Sequence, residues 1–432
     1  MTTEQHYDAI VVGTGPGGST VARQLALQGM KVVMLEWGKA PPVKGTLTQM
    51  LSMGAVPGKS LRLTHEFMPV IRGITLGGSS TLCYATAYDP PAALFQRYGI
   101  DLSKELAEAR SELPIAPLKD KLVGPMARRI FSSAKALGYP WQKLDKIIDQ
   151  SLCRSACWRC SYGCPYGAKW SAGQFAREAV SAGAELVTGA RVRRVLTKNR
   201  RAVGVEYTQS GTQHRVSGDK VVLSAGGLGS PDILRNSGIT DVGQTLFVDP
   251  VVAVMGAVDN LDIHPGERAG HEIPMAAGMS CHQEGYMLAD MTLPPALFRA
   301  FAAQAGRPDQ WLSQSKTLTM MVKARDSLAG RIDHRGKLEK PVTENDKKIL
   351  QTGYKHAHAI LAQAGARSVY KSRYFAAHPG GTVKINQFVD SSLQSDIRHL
   401  YVCDASVIPE DWGLPPVLTL VCLGKRLAKS LF

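Results

Sequence analysis

Long hydrophobic runs are missing from this chain of 432 residues. No stretch reaches the roughly 18 consecutive apolar residues that a membrane-spanning helix needs, so no such helix is expected. The first residues, MTTEQ, lack the basic segment followed by an apolar one that marks a secretory signal. We therefore expect a cytoplasmic protein, with export alongside a signal-bearing partner as the alternative.

Acidic residues are few: 36 of them stand against 51 lysines and arginines, which gives a net charge of +15. Such a charge suits nucleic acid, an acidic protein or an anionic substrate. No nucleic-acid-binding module is visible, so we expect no nucleic acid and favour an acidic protein partner or an anionic substrate. The hydrophobic share of 44% is ordinary for a globular protein, and the length allows two or three domains.

The segment that organises the chain covers residues 7–36. Residues 9–12 are apolar and rich in β-branched side chains, as in a buried parallel strand. A G-x-G-x-x-G loop follows, then a helical pattern, a second strand and an acid at its tip. This order predicts a dinucleotide-binding βαβ unit, in which the glycines admit a pyrophosphate and the helix N-terminus binds it. Its residues are Gly13, Thr14, Gly15, Pro16, Gly18, Glu36 and Trp37.

The acid at position 36 narrows the choice of dinucleotide. The Glu36 carboxylate is placed to accept hydrogen bonds from a ribose 2′-hydroxyl, so FAD or NAD is favoured over NADP. A second turn, Gly77-Gly78-Ser79-Ser80, offers backbone N–H groups and two hydroxyls without bulky side chains. Such a turn can hold the pyrophosphate or the ribityl chain of a cofactor.

Four segments together resemble the glucose–methanol–choline (GMC) family of FAD oxidoreductases. They are the amino-terminal fingerprint, residues 76–80, residues 226–239 (GGLGSPDILRNSGI), and the pair HPGGT (378–382) and DAS (404–406) with Pro409. The resemblance implies an α/β fold, with a Rossmann-like FAD-binding domain similar to that of p-hydroxybenzoate hydroxylase and a smaller α+β substrate domain on an antiparallel sheet. It also implies cofactor contacts at Val192, Asp404, Ala405, Pro416 and Val417.

The same resemblance divides the chain into three parts. Residues 1–95, 165–240 and 378–432 are expected to form a discontinuous FAD-binding domain. Residues 96–164 are expected to form a helical segment with a cysteine-rich loop, and residues 241–377 the substrate-binding domain. The chain is short for the family, so we expect the substrate-facing part to be trimmed.

His378 is the expected catalytic residue, because the family places its base in the turn that HPGGT resembles. Moving a hydride from an alcohol carbon to flavin N5 requires removal of the hydroxyl proton, which imidazole can accept near neutral pH. Pro415 stands where the family has a second polar residue, and Asp411 and Trp412 are the nearby candidates to replace it.

We expect an FAD-dependent dehydrogenase of a small-molecule alcohol. A non-oxidative lyase or decarboxylase and an electron-transfer flavin subunit are the alternatives.

Four of the eight cysteines fall within twelve residues, in the order C-x3-C-x2-C-x3-C-P. The last three, with Pro165, have the spacing of bacterial ferredoxins, and the loop resembles that of iron–sulfur-containing sugar dehydrogenase flavin subunits. We expect a 4Fe–4S or 3Fe–4S cluster that passes electrons from the flavin to an acidic acceptor protein. Zinc or no metal are the alternatives. The expected ligands are Cys153, Cys157, Cys160 and Cys164.

Overall fold

The computed structural model describes residues 6–281 and 283–432. The helices in these residues are α1 (Pro16–Leu27), α2 (Leu47–Gly54), α3 (Ala92–Arg97), α4 (Ser103–Glu112), α5 (Pro125–Ala136), α6 (Ala172–Ser181), α7 (Gly226–Asn236), α8 (Pro295–Gln304), α9 (Glu344–Gln363) and α10 (Val417–Ser430). The strands are β1 (His6–Val12), β2 (Val32–Glu36), β3 (Leu61–Leu63), β4 (Pro69–Ile71), β5 (Ile115–Pro117), β6 (Gln142–Lys143), β7 (Asp145–Ile147), β8 (Glu185–Thr188), β9 (Arg191–Lys198), β10 (Arg201–Gln209), β11 (Thr212–Leu223), β12 (Pro250–Ala257), β13 (Ala277–Cys281), β14 (Tyr286–Asp290), β15 (Thr317–Ala324), β16 (Arg331–Ile332), β17 (Leu338–Glu339), β18 (Arg367–Lys371), β19 (Phe375–Ala376) and β20 (Leu400–Val402).

A seven-stranded sheet has the order β8-β2-β1-β11-β10-β9, with β20 beside β11. The strands β1, β2, β8, β11 and β20 pair in parallel, whereas β9, β10 and β11 pair antiparallel. The apolar strands β1 and β2 are buried along most of their length, as parallel strands beneath helices are. The carboxyl ends of the parallel strands meet at one edge, where ligands bind in sheets of this kind. The predicted α/β class with a Rossmann-like sheet is confirmed.

A nine-stranded sheet forms the second part, in the order β3-β4-β19-β12-β15-β14-β13-β6 with β18 beside β12. Its side chains alternate between two faces because successive residues of a strand point in opposite directions. One face packs beneath α5 and α9 through residues such as Leu318, Met320 and Val322. The opposite face, called the methionine face below, carries Val251, Ala253, Met255, Met287, Ala289 and Met321.

The methionine face lies next to the segment that follows the second glycine turn. Tyr84 and Tyr88 pack against residues of the methionine face. The hydroxyl of Thr86 lies 3.7 Å from the sulfur of Met275. This side of the second sheet therefore adjoins the predicted cofactor-binding residues. The second sheet takes strands from residues 61–71 and 142–143 as well as 250–376, and the three-part division of the chain stays a prediction.

None of the helices in the described residues is long and apolar enough to cross a membrane.

Candidate active site

Close backbone contacts hold the glycine loop between β1 and α1. Gly13 has a φ of +94°, a conformation that a side chain would strain. A Cβ atom on Gly17 would lie 2.0 Å from the carbonyl oxygen of Cys403, and one on Gly18 would lie 2.2 Å from that of Gly13. A Cβ atom on Gly15, in contrast, would have nothing within 4 Å. Gly17 and Gly18 are therefore needed for packing, whereas Gly15 borders open space.

The N-terminus of α1 is open to an anion. Gly15 is its N-cap residue and Pro16 its first residue, and no side chain caps the helix. Backbone N–H groups of the first turn, together with the helix dipole, favour a phosphate at such a position. The open space at Gly15 and the uncapped helix fit the pyrophosphate of the dinucleotide that the sequence predicts.

Glu36 is buried at the end of β2, beside the glycine loop. Its Oε2 atom accepts hydrogen bonds from the backbone N–H of Thr14 at 3.0 Å and from the Thr14 hydroxyl at 2.7 Å. Its Oε1 atom accepts a hydrogen bond from the N–H of Gly38 at 2.6 Å. Burial raises the pKa of the Glu36 carboxyl, and these hydrogen bonds oppose the rise. The carboxylate is thus fixed at the place where the sequence predicts a ribose contact.

Three cations surround the ring of Trp37. The guanidinium of Arg191 lies 4.3 Å from the ring centroid, the ammonium of Lys59 5.2 Å and the guanidinium of Arg72 5.6 Å. Burial lowers the pKa of Arg72 to about 10. Val192 follows Arg191 and is buried in β9. The concentration of positive charge at this edge of the sheet favours an anionic cofactor.

The second glycine turn contacts the first loop. The backbone N–H of Gly77 donates to the hydroxyl of Thr14 at 3.1 Å. A Cβ atom on Gly78 would lie 3.2 Å from the Cα atom of Gly15. Both glycines of the turn have positive φ, +85° and +56°. The fold thus brings together two predicted cofactor-binding segments that are 63 residues apart in sequence.

The two serines of this turn have different surroundings. Ser80 is buried, and its hydroxyl donates to the carbonyl of Gly77 at 2.6 Å and accepts from the N–H of Ala172 at 2.9 Å. Ser79 is exposed, and its hydroxyl accepts a hydrogen bond from the N–H of Gly73 at 2.9 Å. Ser80 therefore stabilises the turn itself, while Ser79 stays accessible to a cofactor.

Asp404 joins the carboxyl-terminal segment to the start of α7. Its buried carboxylate accepts hydrogen bonds from the N–H of Gly226 at 2.8 Å, the hydroxyl of Ser230 at 2.5 Å and the N–H of Ser406 at 2.8 Å. Burial raises the pKa of this carboxyl, and the same hydrogen bonds oppose the rise. Two of the segments that carry the family resemblance are therefore in direct contact.

His378 begins a turn that contacts both parts of the fold. The N–H of Gly381 donates to the carbonyl of Ala405 at 3.0 Å, and the N–H of Gly380 donates to the carbonyl of Phe247 at 3.0 Å. A Cβ atom on Gly380 would lie 2.4 Å from the ring of Phe247 and 2.5 Å from the Ala405 carbonyl oxygen. These backbone contacts fix the position of the imidazole.

The imidazole of His378 pairs with Asp249, a residue that the sequence analysis did not identify. The His378 Nδ1 atom lies 3.0 Å from Oδ2 of Asp249, and the Oδ1 atom accepts the N–H of Gly413 at 2.9 Å. The carboxylate is fully buried, whereas 24% of the His378 side chain is exposed, so the ring lies deep in the protein and remains reachable. Because Nδ1 faces the carboxylate, Nε2 is the atom left to accept a proton, and it has no partner in the described residues.

Asp249 has an unusual backbone conformation. Its φ of +52° lies in the left-handed region that non-glycine residues rarely adopt. Such strain often accompanies functional positions. The residue stands between Val248 and Pro250 in the apolar run LFVDPVVAV. A single acid within an apolar run was the sequence feature that could have identified Asp249 as a candidate site residue.

A chain of buried charges extends from this pair. The Lys323 ammonium lies 3.4 Å from Oδ2 of Asp249. Asp326 accepts the N–H of Asp249 at 2.8 Å and pairs with the Lys340 ammonium at 2.9 Å. Burial and the charge of Lys323 lower the pKa of His378, while Asp249 acts in the opposite direction. The net lowering keeps the imidazole neutral and able to accept a proton near pH 7.

The two candidates near Pro415 differ in their polar partners. The Asp411 carboxylate pairs with Nε of Arg325 at 3.1 Å. Trp412 is buried edge-on against Phe95, with ring centroids 6.3 Å apart. Asp411 is therefore engaged in an ion pair, whereas the indole Nε1 atom of Trp412 is buried without a hydrogen-bond partner in the described residues and stays a candidate for the second polar contact. After Pro415, Pro416 is the N-cap residue of α10 and Val417 its first residue. No side chain caps that helix, so its positive dipole end remains available to negative charge.

The four cysteines of the loop differ in burial. Cys160 is buried, Cys153, Cys157 and Cys164 are partly exposed, and all eight cysteines of the chain are free. Burial raises the pKa of Cys153 to about 11 and that of Cys160 to about 12, and repulsion between the thiolates of the loop adds to the rise.

These thiols do not form a site for one ion. Within residues 6–281 and 283–432, no three side chains of His, Cys, Asp or Glu are arranged to hold a single metal ion. In the part of the chain that the structure describes, neither the zinc alternative nor the predicted cluster therefore has a preformed site. Cluster binding by the four thiols stays a prediction.

Lys169 connects the cysteine loop to the second glycine turn. Its buried ammonium donates to the carbonyls of Ser80 at 3.1 Å, Thr81 at 2.7 Å and Cys83 at 2.9 Å. It also donates to the carbonyl of Cys160 at 2.9 Å. The loop and the turn are therefore held to each other by one charge.

Comparisons with known proteins agree with this arrangement. The glycine loops, the acid at the end of β2 and the reachable imidazole are the features that the resemblance to flavin-dependent oxidoreductases predicts. The family model described as GMC oxidoreductase matches residues 7–251, more than half of the chain. The chain therefore belongs to the GMC family of FAD-dependent oxidoreductases.

Relatives and solved structures extend this result. An uncharacterised protein of Methanocaldococcus jannaschii is 24% identical over 98% of this chain and 100% of its own length. A long-chain-alcohol oxidase of Arabidopsis thaliana is 24% identical over 98% of this chain and 68% of that protein. A solved formate oxidase structure has a TM-score of 0.77 at 18% identity, covering 100% of this chain and 99% of that one. The last similarity shows the shared fold.

Proposed function

We propose that this protein oxidises an alcohol to a carbonyl compound, with FAD as the hydride acceptor and His378 as the base. The main support for the proposal is the His378–Asp249 pair. His378 begins the turn whose Gly381 contacts Ala405, and the Nε2 atom of its imidazole has no partner in the described residues. FAD, when bound, supplies the acceptor for an electron pair and a hydrogen. The Asp249 carboxylate orients the imidazole and fixes its tautomer, and Nε2 takes the proton of the substrate hydroxyl.

The methionine face favours an apolar alcohol as the substrate. It begins close to the catalytic pair, because Val251 follows Asp249 by two residues in the same strand region. Methionine side chains are flexible and adapt to apolar ligands of different shapes. The Arabidopsis thaliana relative is named a long-chain-alcohol oxidase. We therefore propose an aliphatic or ring alcohol, rather than a free sugar, as the substrate.

The rate of alcohol oxidation should fall in acid only when the pH drops below the usual pKa of histidine. The lowered pKa of His378 means that the imidazole is mostly unprotonated at pH 6.5, about the usual midpoint for histidine. We expect kcat/KM to be constant near neutrality and to fall as pH drops through a midpoint below about 6.5. Stopped-flow reduction of the bound flavin over a pH series measures this midpoint. A midpoint above about 6.5 would contradict the lowered pKa that burial and the charge of Lys323 give His378.

We further propose that electrons leave the flavin through an iron–sulfur cluster on Cys153, Cys157, Cys160 and Cys164. The support for this proposal is the spacing of the four cysteines, since the described residues show no group of three ligands arranged for a metal ion. Burial lowers the pKa of Lys146 to about 8, and the charge of Cys160 acts against this. A buried cation close to the thiolates favours the reduced state of a cluster.

The exposed side of the cysteine loop suits an acidic acceptor protein. Arg154 is exposed, and its guanidinium lies 4.1 Å from the ring centroid of Tyr166. The guanidinium of Arg159 lies 5.8 Å from that of Trp158. Positive charge around an electron exit speeds association with a negatively charged carrier. We therefore propose such a protein, rather than oxygen, as the main electron acceptor.

Purified protein should contain iron and acid-labile sulfide in addition to flavin. Cys160→Ser should lose most of the iron, because a hydroxyl replaces a buried thiolate ligand. Cys281→Ser, on β13 and outside the loop, should keep it. Iron and sulfide per flavin, with electron paramagnetic resonance of the reduced protein, measure this difference. A wild-type protein that takes up no iron during anaerobic reconstitution would sink the cluster proposal and leave the loop as a scaffold.

A further inference from the structure

Lys323 is a buried cation on the methionine face. Alternation along β15 places it on the same side of the sheet as Met321. Its partners in register are Val251 on β12 and Met287 on β14, and 2% of its side chain is exposed. Among the described positions of β12, β14 and β15 that share this face, Lys323 is the one charged residue.

The ammonium of Lys323 lacks the partners that other buried lysines have. Its single contact in the described chain is Oδ2 of Asp249 at 3.4 Å, longer than the about 2.7–2.9 Å of a strong charged hydrogen bond. Lys340 has contacts at 2.9 and 2.6 Å, Lys146 has three hydrogen bonds and Lys169 has four. An ammonium has three donors, so two N–H groups of Lys323 have no acceptor in the described residues, although the charge of Asp326 also acts on the ammonium. Buried donors without acceptors are costly, which indicates that a bound ligand completes their hydrogen bonding.

Lys323 and His378 converge on one oxygen atom. Oδ2 of Asp249 lies 3.0 Å from the His378 Nδ1 atom and 3.4 Å from the Lys323 ammonium. The other oxygen of this carboxylate accepts the N–H of Gly413, two residues before Pro415. The ammonium is therefore beside the imidazole and close to the segment where Pro415 removes a polar side chain.

We propose that Lys323 donates a hydrogen bond to the hydroxyl oxygen of the substrate and stabilises the negative charge that develops there, replacing the polar contact absent at position 415. This role rests on the proposed alcohol oxidation. The hydroxyl proton passes to Nε2 of His378, the electron pair of the C–H bond leaves with its hydrogen as hydride to FAD, and the C–O bond becomes a carbonyl. Burial lowers the pKa of the Lys323 ammonium, and the charges of Asp249 and Asp326 oppose this. In the proposed role the ammonium donates a hydrogen bond and keeps its proton. Its hydrogen bond strengthens as charge builds on the oxygen, so it acts mainly on the transition state.

The test compares Lys323→Met with Lys323→Arg and with a matched control, Lys425→Met. Lys425 is equally buried, but its ammonium pairs with Glu112 on α4 at 2.8 Å. With octan-1-ol as substrate, we expect Lys323→Met to slow flavin reduction about 10²–10³-fold, with a smaller change in KM. Lys323→Arg should keep part of the rate, and Lys425→Met should keep the full rate per bound FAD. The visible spectrum and melting temperature of each variant show whether it folds and holds FAD.

Nuclear magnetic resonance titration of the His378 imidazole adds a readout that needs neither substrate nor FAD. Removing the neighbouring positive charge favours protonation of the ring, so Lys323→Met should move the midpoint upward in the apoprotein and Lys425→Met should not. A Lys323→Met protein with wild-type reduction rate and an unmoved midpoint overturns the role of Lys323 while alcohol oxidation stands. If alcohols fail to reduce the wild-type flavin, the proposed function falls and the role of Lys323 falls with it.

Discussion

Replacing His378 with alanine should slow reduction of the bound flavin by an alcohol about 10²–10⁴-fold, the usual contribution of a general base. The substitution removes the Nε2 atom that takes the hydroxyl proton, so hydride transfer must proceed from a protonated alcohol. FAD should be retained, because the backbone contacts of Gly380 and Gly381 do not involve the imidazole. Anaerobic stopped-flow spectroscopy at saturating alcohol measures the rate, and the visible spectrum measures bound FAD.

Two further variants make this experiment specific. His358→Ala is the matched control, because that imidazole is exposed on α9, and its rate should equal that of the wild type. Asp249→Asn should slow reduction about ten- to hundredfold, since a hydrogen bond to a charged group contributes about 1.5–3 kcal/mol. If His378→Ala kept the wild-type rate, the base would be another group. If product formed without flavin reduction, a non-oxidative role for the cofactor would be favoured.

Gly17→Ala should unfold the cofactor-binding part of the protein. Its Cβ atom would lie 2.0 Å from the carbonyl oxygen and 3.0 Å from the carbonyl carbon of Cys403. These are backbone atoms that cannot rotate away as a side chain could, so α1 would have to separate from the end of β20. Overpacking commonly costs about 1–3 kcal/mol and more where the backbone must move. We expect a loss of at least about 3 kcal/mol in the free energy of unfolding, measured by urea denaturation of the apoprotein.

Gly15→Ala is the matched comparison for this effect. The φ of Gly15 is −67°, which alanine adopts readily, and its Cβ atom would meet nothing within 4 Å. The apoprotein should therefore stay within about 1 kcal/mol of wild-type stability, while FAD binding weakens because the methyl group enters the space predicted for the pyrophosphate. Equal FAD affinity in this variant and the wild type would place the pyrophosphate elsewhere. A Gly17→Ala apoprotein as stable as the wild type would contradict the packing described here.

Local sequence patterns predicted the fold class and the first half of the site. Glu36 and Thr14 belong to one βαβ unit, in which the order of strand, loop, helix and strand dictates that the acid returns to the glycine loop. The contact between them therefore follows from short-range geometry. The family resemblance added His378, which lies in a turn whose glycines allow close backbone approach.

The other half of the site depends on long-range packing that the sequence does not encode locally. Asp249 and His378 are 129 residues apart, and Asp249 and Lys323 are 74 residues apart. The pairing of β12 with β15 brings the aspartate and the lysine together. In the sequence the aspartate is a single charge in an apolar run, whereas the lysine ends such a run and is followed closely by Arg325 and Asp326. Both patterns also mark the ordinary end of a strand. Cysteine spacing likewise predicted a metal centre, and in the described residues no three ligands are arranged to hold a metal ion.

The four hydrogen bonds of Lys169 hold the second glycine turn and the cysteine loop at a fixed distance from each other. One ammonium draws the carbonyl groups of residues 80–83 and of Cys160 onto a single point, so thermal motion of one segment carries the other with it. Electron tunnelling falls steeply with separation, and a gap of fixed width gives a steady transfer rate. The proposed route for electrons through the thiols would therefore cross a segment held like a protein interior rather than a surface loop.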